Sequence, residues 1–121
     1  MRFALILSAL LCMFAGRAQN NTYYLIVGSY TNGGGDGIHV YKFNVQRATH
    51  SLVSKTTGVE NASYLTVSPD QKYIYAVNEQ PGRPGEVSAF AFDKTKGELK
   101  LINKQPAGES PCYISIDSTG K

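Results

Sequence analysis

A repeat of 49 residues constrains this chain more than any other feature. Displaced by that distance, residues 52–72 align with 101–121 without a gap, and five positions are identical: Leu52 with Leu101, Lys55 with Lys104, Glu60 with Glu109, Tyr64 with Tyr113, and Lys72 with Lys121. Leu65-Thr66-Val67 meets Ile114-Ser115-Ile116, and Tyr41-Lys42-Phe43-Asn44 meets Phe90-Ala91-Phe92-Asp93 at the same offset. A repeat of this length containing four short strands is the arithmetic of a β-propeller blade. The strands expected are Tyr64 to Val67, Tyr73 to Val77 (earlier copy Tyr24 to Val27), Val87 to Phe92 (earlier copy Ile38 to Phe43), and Leu99 to Ile102 (earlier copy near Leu52 and Val53). The fold class expected is therefore all-β, with four-stranded antiparallel blades: three strands of a first blade, a complete second blade, and the first strand of a third.

The turns fit this reading. In Ser68-Pro69-Asp70-Gln71-Lys72, Pro69 sets its own φ and Asp70 can cap the turn. The next copy carries Gly120 where this one has Gln71, so the position is expected to need positive φ, and Gln71 should cost roughly 1 kcal/mol there. Lys94 to Gly97 is the next hairpin. In the third strand Ala89 and Ala91 share one face and Ser88, Phe90 and Phe92 the other, as suits a sheet packed on both sides. Lys96, Lys100 and Lys104 flank the fourth strand, and lysines on an outermost strand oppose edge-to-edge pairing.

The first nineteen residues are of another kind. Met1-Arg2 is a basic start, Phe3 to Ala15 an apolar run too short to span a bilayer, and Gly16-Arg17-Ala18 a small-residue cleavage site. Residues 1–19 are expected to be a signal peptide and 20–121 a partial propeller, with a secreted or periplasmic product. Cleavage removes Arg2 and Arg17, leaving ten basic residues against nine acidic, so there is no electrostatic case for nucleic acid or an anionic membrane. Cys112 alone survives cleavage, which excludes an internal disulfide framework. Asn20-Asn21-Thr22 and Asn61-Ala62-Ser63 match the glycosylation sequon, which matters only in a eukaryotic host. The chain stops inside a hairpin. Each blade needs neighbours to bury its faces, so a fragment or truncated product is expected.

The runs YLIVGSYT at 24–31, GIHVYKF at 37–43, ASYLTVSPDQKYIYAVNE at 62–79, GEVSAFAFDKTKGEL at 85–99 and SPCYISIDSTGK at 110–121 resemble the lactonase family of seven-bladed propellers. The resemblance covers nearly all of the expected mature chain. It implies seven blades in the full-length protein, about two of them present here, and a monomer acting on a small lactone. Family members include 6-phosphogluconolactonase, and relatives lactonize a carboxymuconate. Members often carry His after the Pro-Cys pair; this chain has Tyr113, so a proton-transfer role does not carry over. A leader would also take the protein away from cytosolic phosphorylated gluconolactone. An unphosphorylated sugar lactone or other ester is then at least as well supported.

Lactone hydrolysis needs a base to activate water and a donor to hold the oxyanion. In a propeller the loops joining second to third strands, and fourth to next first strands, line one mouth of the channel. Here they hold Ser29-Tyr30-Thr31, Asn78-Glu79, Arg83 and Glu109-Ser110. Glu79 is the candidate general base or substrate contact, against the alternative of a loop salt bridge. Tyr30, Asn78, Arg83 and Glu109 are candidate substrate-binding residues. Tyr30 could instead pack its loop, and Glu109, repeating Glu60, could serve the blade. Gly33 to Gly37 precedes a strand rather than a helix, so it reads as a flexible loop and not a phosphate cradle. His39 is expected to pack within the blade and His50 to be solvated. Neither forms a metal-spaced cluster with Cys112, and no cofactor is called for. The competing functional classes are a non-catalytic propeller scaffold and an inactive truncated remnant.

Overall fold

The computed structural model describes residues 21–120; the expected leader, residues 1–19, lies outside the described residues. Seven strands form two antiparallel sheets. The first has the order β1-β2-β3: Thr22–Gly28, Ile38–Asn44 and Thr49–Thr56. The second has the order β4-β5-β6-β7: Ala62–Val67, Tyr73–Asn78, Pro84–Asp93 and Glu98–Glu109. Each sheet is a meander, with every strand beside its sequence neighbours. The repeat thus anticipates the position of all seven strands, and β5, β6 and β7 are the second copies of β1, β2 and β3.

The backbone repeats even where the side chains do not. Gln71 and Gly120 both have positive φ (58° and 87°), as expected from their alignment. So do two further pairs at the same offset, Ala48 with Gly97 (49° and 72°) and Asn61 with Ser110 (both 42°). The Ser68–Lys72 turn closes as read: Asp70 Oδ1 accepts from Ser68 Oγ at 2.6 Å and from the Lys72 amide at 3.0 Å.

The two sheets pack face to face around Ile38, Val59, Ala62, Ile74, Ala76 and Phe90, all nearly or fully buried, with Ile26, Leu65, Phe92 and Leu99 against them. Tyr24 meets Phe92 edge to face at 5.2 Å, a geometry worth about 0.5–1.5 kcal/mol beyond area burial. The Tyr24 hydroxyl donates to the Lys94 carbonyl at 3.0 Å, and Ser54 Oγ to the Gly97 carbonyl at 2.6 Å. These bonds dock the β6–β7 hairpin onto the first sheet. At the other end Gly28 lies so close to β4 that a Cβ there would fall 2.1 Å from the Ala62 carbonyl oxygen. A side chain at 28 would force the sheets apart.

Two expectations are corrected. The last strand is not four residues but twelve, Glu98–Glu109, because its partner β6 begins early at Pro84. As an outer edge it also tolerates Pro106, whose missing N–H disrupts no second ladder. Residues 111–117, the expected first strand of a third blade, form no strand. A strand exists through its ladder, and neither sheet includes these residues. Its start nevertheless docks on the second blade, where Tyr113 and Tyr64 lie 4.7 Å apart.

Candidate active site at the rim of the two sheets

The loops after β1 and β5 and the connections before β4 and after β7 gather at one end of the sheets. Tyr30 follows β1 and Glu79 follows β5, at equivalent positions of successive repeats. The structure joins them: the Tyr30 phenol donates a short hydrogen bond to Glu79 Oε2. Tyr30 is exposed and Glu79 half-buried. The hydrogen bond to Glu79, then burial and the charge of the same carboxylate, raise the phenol pKa above the ordinary tyrosine value, so Tyr30 stays protonated as a donor at neutral pH. Beside the phenol sits Ser63 Oγ, buried and making no hydrogen bond of good geometry among the described residues.

The loops are held from beneath. Ser29 closes the glycine run: its amide donates to the Gly37 carbonyl at 2.9 Å, and its Oγ accepts from the Gly37 amide at 3.2 Å. This loop is therefore fixed at its base rather than freely flexible. Asn61 reaches both sides of the pair. Its Oδ1 accepts from the Thr31 amide at 2.9 Å, and its Nδ2 donates to the Glu79 carbonyl at 2.8 Å.

The other candidates divide. Asn78 is a correction. Its side chain is fully buried, its Nδ2 donates to the Glu60 carbonyl at 2.9 Å, and its Oδ1 accepts from Ser88 Oγ. With both ends engaged inside the blade, it braces β5 against the β3–β4 connection and presents nothing to a ligand. Arg83 is exposed and ion-paired, its Nη2 2.6 Å from Glu60 Oε2. Glu109 is likewise exposed, at the last residue of β7 opposite Pro84 instead of in a loop. Arg83 and Glu109 line one cleft of about 320 Å3 with Gly82, Pro84 and Ser110. The rim therefore holds a phenol–carboxylate pair and, next to it, an arginine–carboxylate cleft. A cleft of about 440 Å3 lies at the opposite end of the strands, lined by Tyr23, Tyr24, Ile26, Val67, Pro69 and Phe92 among others. It is mostly apolar, runs along the free edge of β1, and has no convergent acid or base to make it a hydrolytic site.

Sequence reasoning missed Asn61 as a site residue, reading it only as a sequon. At 3% exposure with its amide engaged on both sides, it is no glycan acceptor. The signal available was an asparagine, one of the few residues at ease at positive φ, directly before an inner strand. His39 instead stacks on Tyr41 and bonds Asp36 of the β1–β2 loop at 2.6 Å, and the exposed His50 turns edge-on to Tyr41; neither is a partner of the Tyr30–Glu79 pair.

A propeller-blade pair with polar groups converging at one rim defines the architectural class, and comparison with known proteins gives the family. Residues 24–121 match the family described as "Lactonase, 7-bladed beta-propeller". The chain belongs to that lactonase family. It is 42% identical over 100 residues to a 6-phosphogluconolactonase of Formosa agariphila, across 80% of this chain and 28% of that protein. A crystal structure from Bacteroides fragilis, of a protein proposed to be a 6-phosphogluconolactonase, superimposes with a TM-score of 0.78 at 38% identity, across 84% of this chain and 29% of that one. The periplasmic gluconolactonase of Pseudomonas aeruginosa superimposes with a TM-score of 0.74 at 31% identity, across 82% of this chain and 29% of that one. The chain thus spans under a third of the length of these relatives.

Proposed function

We propose that these residues belong to an exported lactone hydrolase, in which seven blades close around a channel and the rim described above faces the substrate. The observation that carries this reading is the Tyr30–Glu79 pair, a carboxylate bonded by a phenol at the rim of two blades in a family of lactonases. Glu79 is assigned as general base. Tyr30 holds Oε2, and Oε1 takes a proton from water as the water oxygen bonds to the lactone carbonyl carbon. The tetrahedral oxyanion then collapses, the ring C–O bond breaks, and Glu79 returns its proton to the leaving ring oxygen, giving the hydroxy acid and the free carboxylate of Glu79. Positioned acid–base groups of this kind contribute about 10²–10⁴-fold. Arg83 and Glu109 are assigned as polar groups flanking the entry. The leader-like start of the chain and the periplasmic relative favour export. Outside the cytosol an unphosphorylated sugar lactone is the favoured substrate.

The first test is to read the gene past the codon for Lys121. A frame continuing for about five more repeats of 49 residues supports the reading, and an immediate stop would make the chain an inactive remnant. The full-length product should then hydrolyse glucono-δ-lactone in a pH-stat assay, with Glu79→Gln lowering kcat/KM about 10²-fold or more. Unchanged turnover in that variant would remove Glu79 from the mechanism.

A further inference from the structure

We infer that Asn61 is the positioning residue of the rim: one carboxamide ties the loop carrying Tyr30 to the loop carrying Glu79, so that groups from two separate sheets meet. The proposal rests on the reading above only in its consequence for turnover; the clamp itself stands on geometry. Asn61 Oδ1 accepts from both the amide and the hydroxyl of Thr31, at 2.9 and 3.2 Å. Nδ2 donates to the Glu79 carbonyl at 2.8 Å, and the Glu79 amide donates back to the Asn61 carbonyl at 3.1 Å. The Ala62 amide donates to the Ser29 carbonyl at 3.2 Å. The residues on both sides of Tyr30 and the backbone of Glu79 are therefore all held from one two-residue step.

The residue type follows from the place. The position has a φ of 42°, which asparagine tolerates better than most side chains. The side chain must accept on one side and donate on the other. Aspartate lacks the donor, and the serine found at the equivalent position 110 is too short to span both loops. Asn61 is 3% exposed, so its hydrogen bonds form away from competing water and a lost partner is not readily replaced. It touches no substrate; it fixes where the phenol and carboxylate stand. The raised pKa of Tyr30 reports that contact, since the Glu79 hydrogen bond is its largest cause.

The test uses the full-length protein with 13Cζ-labelled tyrosine, the Tyr30 resonance being assigned by its loss in Tyr30→Phe. Asn61→Gly keeps the positive φ and removes only the carboxamide. Tyr30 should then titrate at the ordinary tyrosine value, with unchanged far-UV circular dichroism. Asn61→Ser, neutral and the residue that the next repeat carries at the same φ of 42°, is too short to span both loops; it serves if the glycine variant does not fold and should shift Tyr30 in the same direction. A Tyr30 titration indistinguishable from wild type in a folded variant of either kind would overturn the proposal. Lactonase kinetics on the same samples separate the two readings. A shifted Tyr30 with kcat down about 10-fold or more supports both. A shifted Tyr30 with unchanged kcat keeps the clamp and removes the pair from catalysis.

Discussion

Gln71 shows how a single residue can stand against its own backbone. The turn between β4 and β5 needs a left-handed residue at its fourth position, and Gln71 takes φ 58° where the next copy has Gly120 at 87°. Left-handed geometry costs a non-glycine residue about 1–2 kcal/mol, partly offset by the greater unfolded-state entropy of glycine. Gln71→Gly in the full-length protein should therefore raise stability by about 0.5–1 kcal/mol, read as a higher urea midpoint at unchanged m-value. A lower midpoint would show that the Lys94 hydrogen bond to Gln71 Oε1, 3.1 Å long, outweighs the strain. Asn78 is the opposite case, a polar side chain buried with both ends satisfied. Asn78→Ala strands the Glu60 carbonyl and the Ser88 hydroxyl and should cost about 1–3 kcal/mol, read as a lower urea midpoint of the full-length protein. The need for positive φ at 71 was legible because one copy keeps glycine. The role of Asn78 was not, because an asparagine ending a strand reads the same whether it faces solvent or the blade interior.

At the scale of elements, strand positions were legible from the repeat and strand lengths were not. The repeat marks where side chains alternate, whereas a ladder extends as far as its neighbour allows. That is why β7 runs to Glu109 and residues 111–117 form none. The hairpins carry their own electrostatics. Asp93 Oδ1 accepts from Thr95 Oγ1 at 2.6 Å and from the Thr95 and Lys96 amides at 2.9 and 3.2 Å. These bonds, the Thr95 hydroxyl first, hold its pKa below the ordinary aspartate value, and the Ser68 hydroxyl followed by the Lys72 amide does the same for Asp70. A carboxylate with a folded pKa below its unfolded one contributes stability above the unfolded pKa, about 3.9, and loses it as pH falls through the folded value. The Asp93→Asn variant should therefore melt below wild type at pH 7, and the gap should close between about pH 4 and the folded pKa. A gap that persists in acid would mean the aspartate acts through shape and not through charge.

At the scale of the whole molecule, the faces left open carry the same pattern as the faces already covered. Ile74, Ala76 and Phe90 of the second sheet are buried against the first, with Phe92 packed on that cluster. Their equivalents 49 residues earlier are Leu25, Val27, Tyr41 and Phe43, on the far side of the first sheet. There Leu25 and Val27 are 44% and 39% exposed, and Leu52, paired with Tyr41, is 48% exposed. A face built to receive another blade and left in water favours association, since burying one such side chain fully is worth about 1.5–3 kcal/mol. Front and back faces differ, so the contact is head-to-tail and does not end at a dimer. Residues 20–121 expressed alone should sediment as species larger than a monomer and increase in size with concentration. Leu25→Lys combined with Leu52→Lys, at positions already exposed, should return much of the material to monomer. A soluble monomer of the unmodified segment with one cooperative melt would show instead that these two sheets bury enough surface to fold without a neighbour.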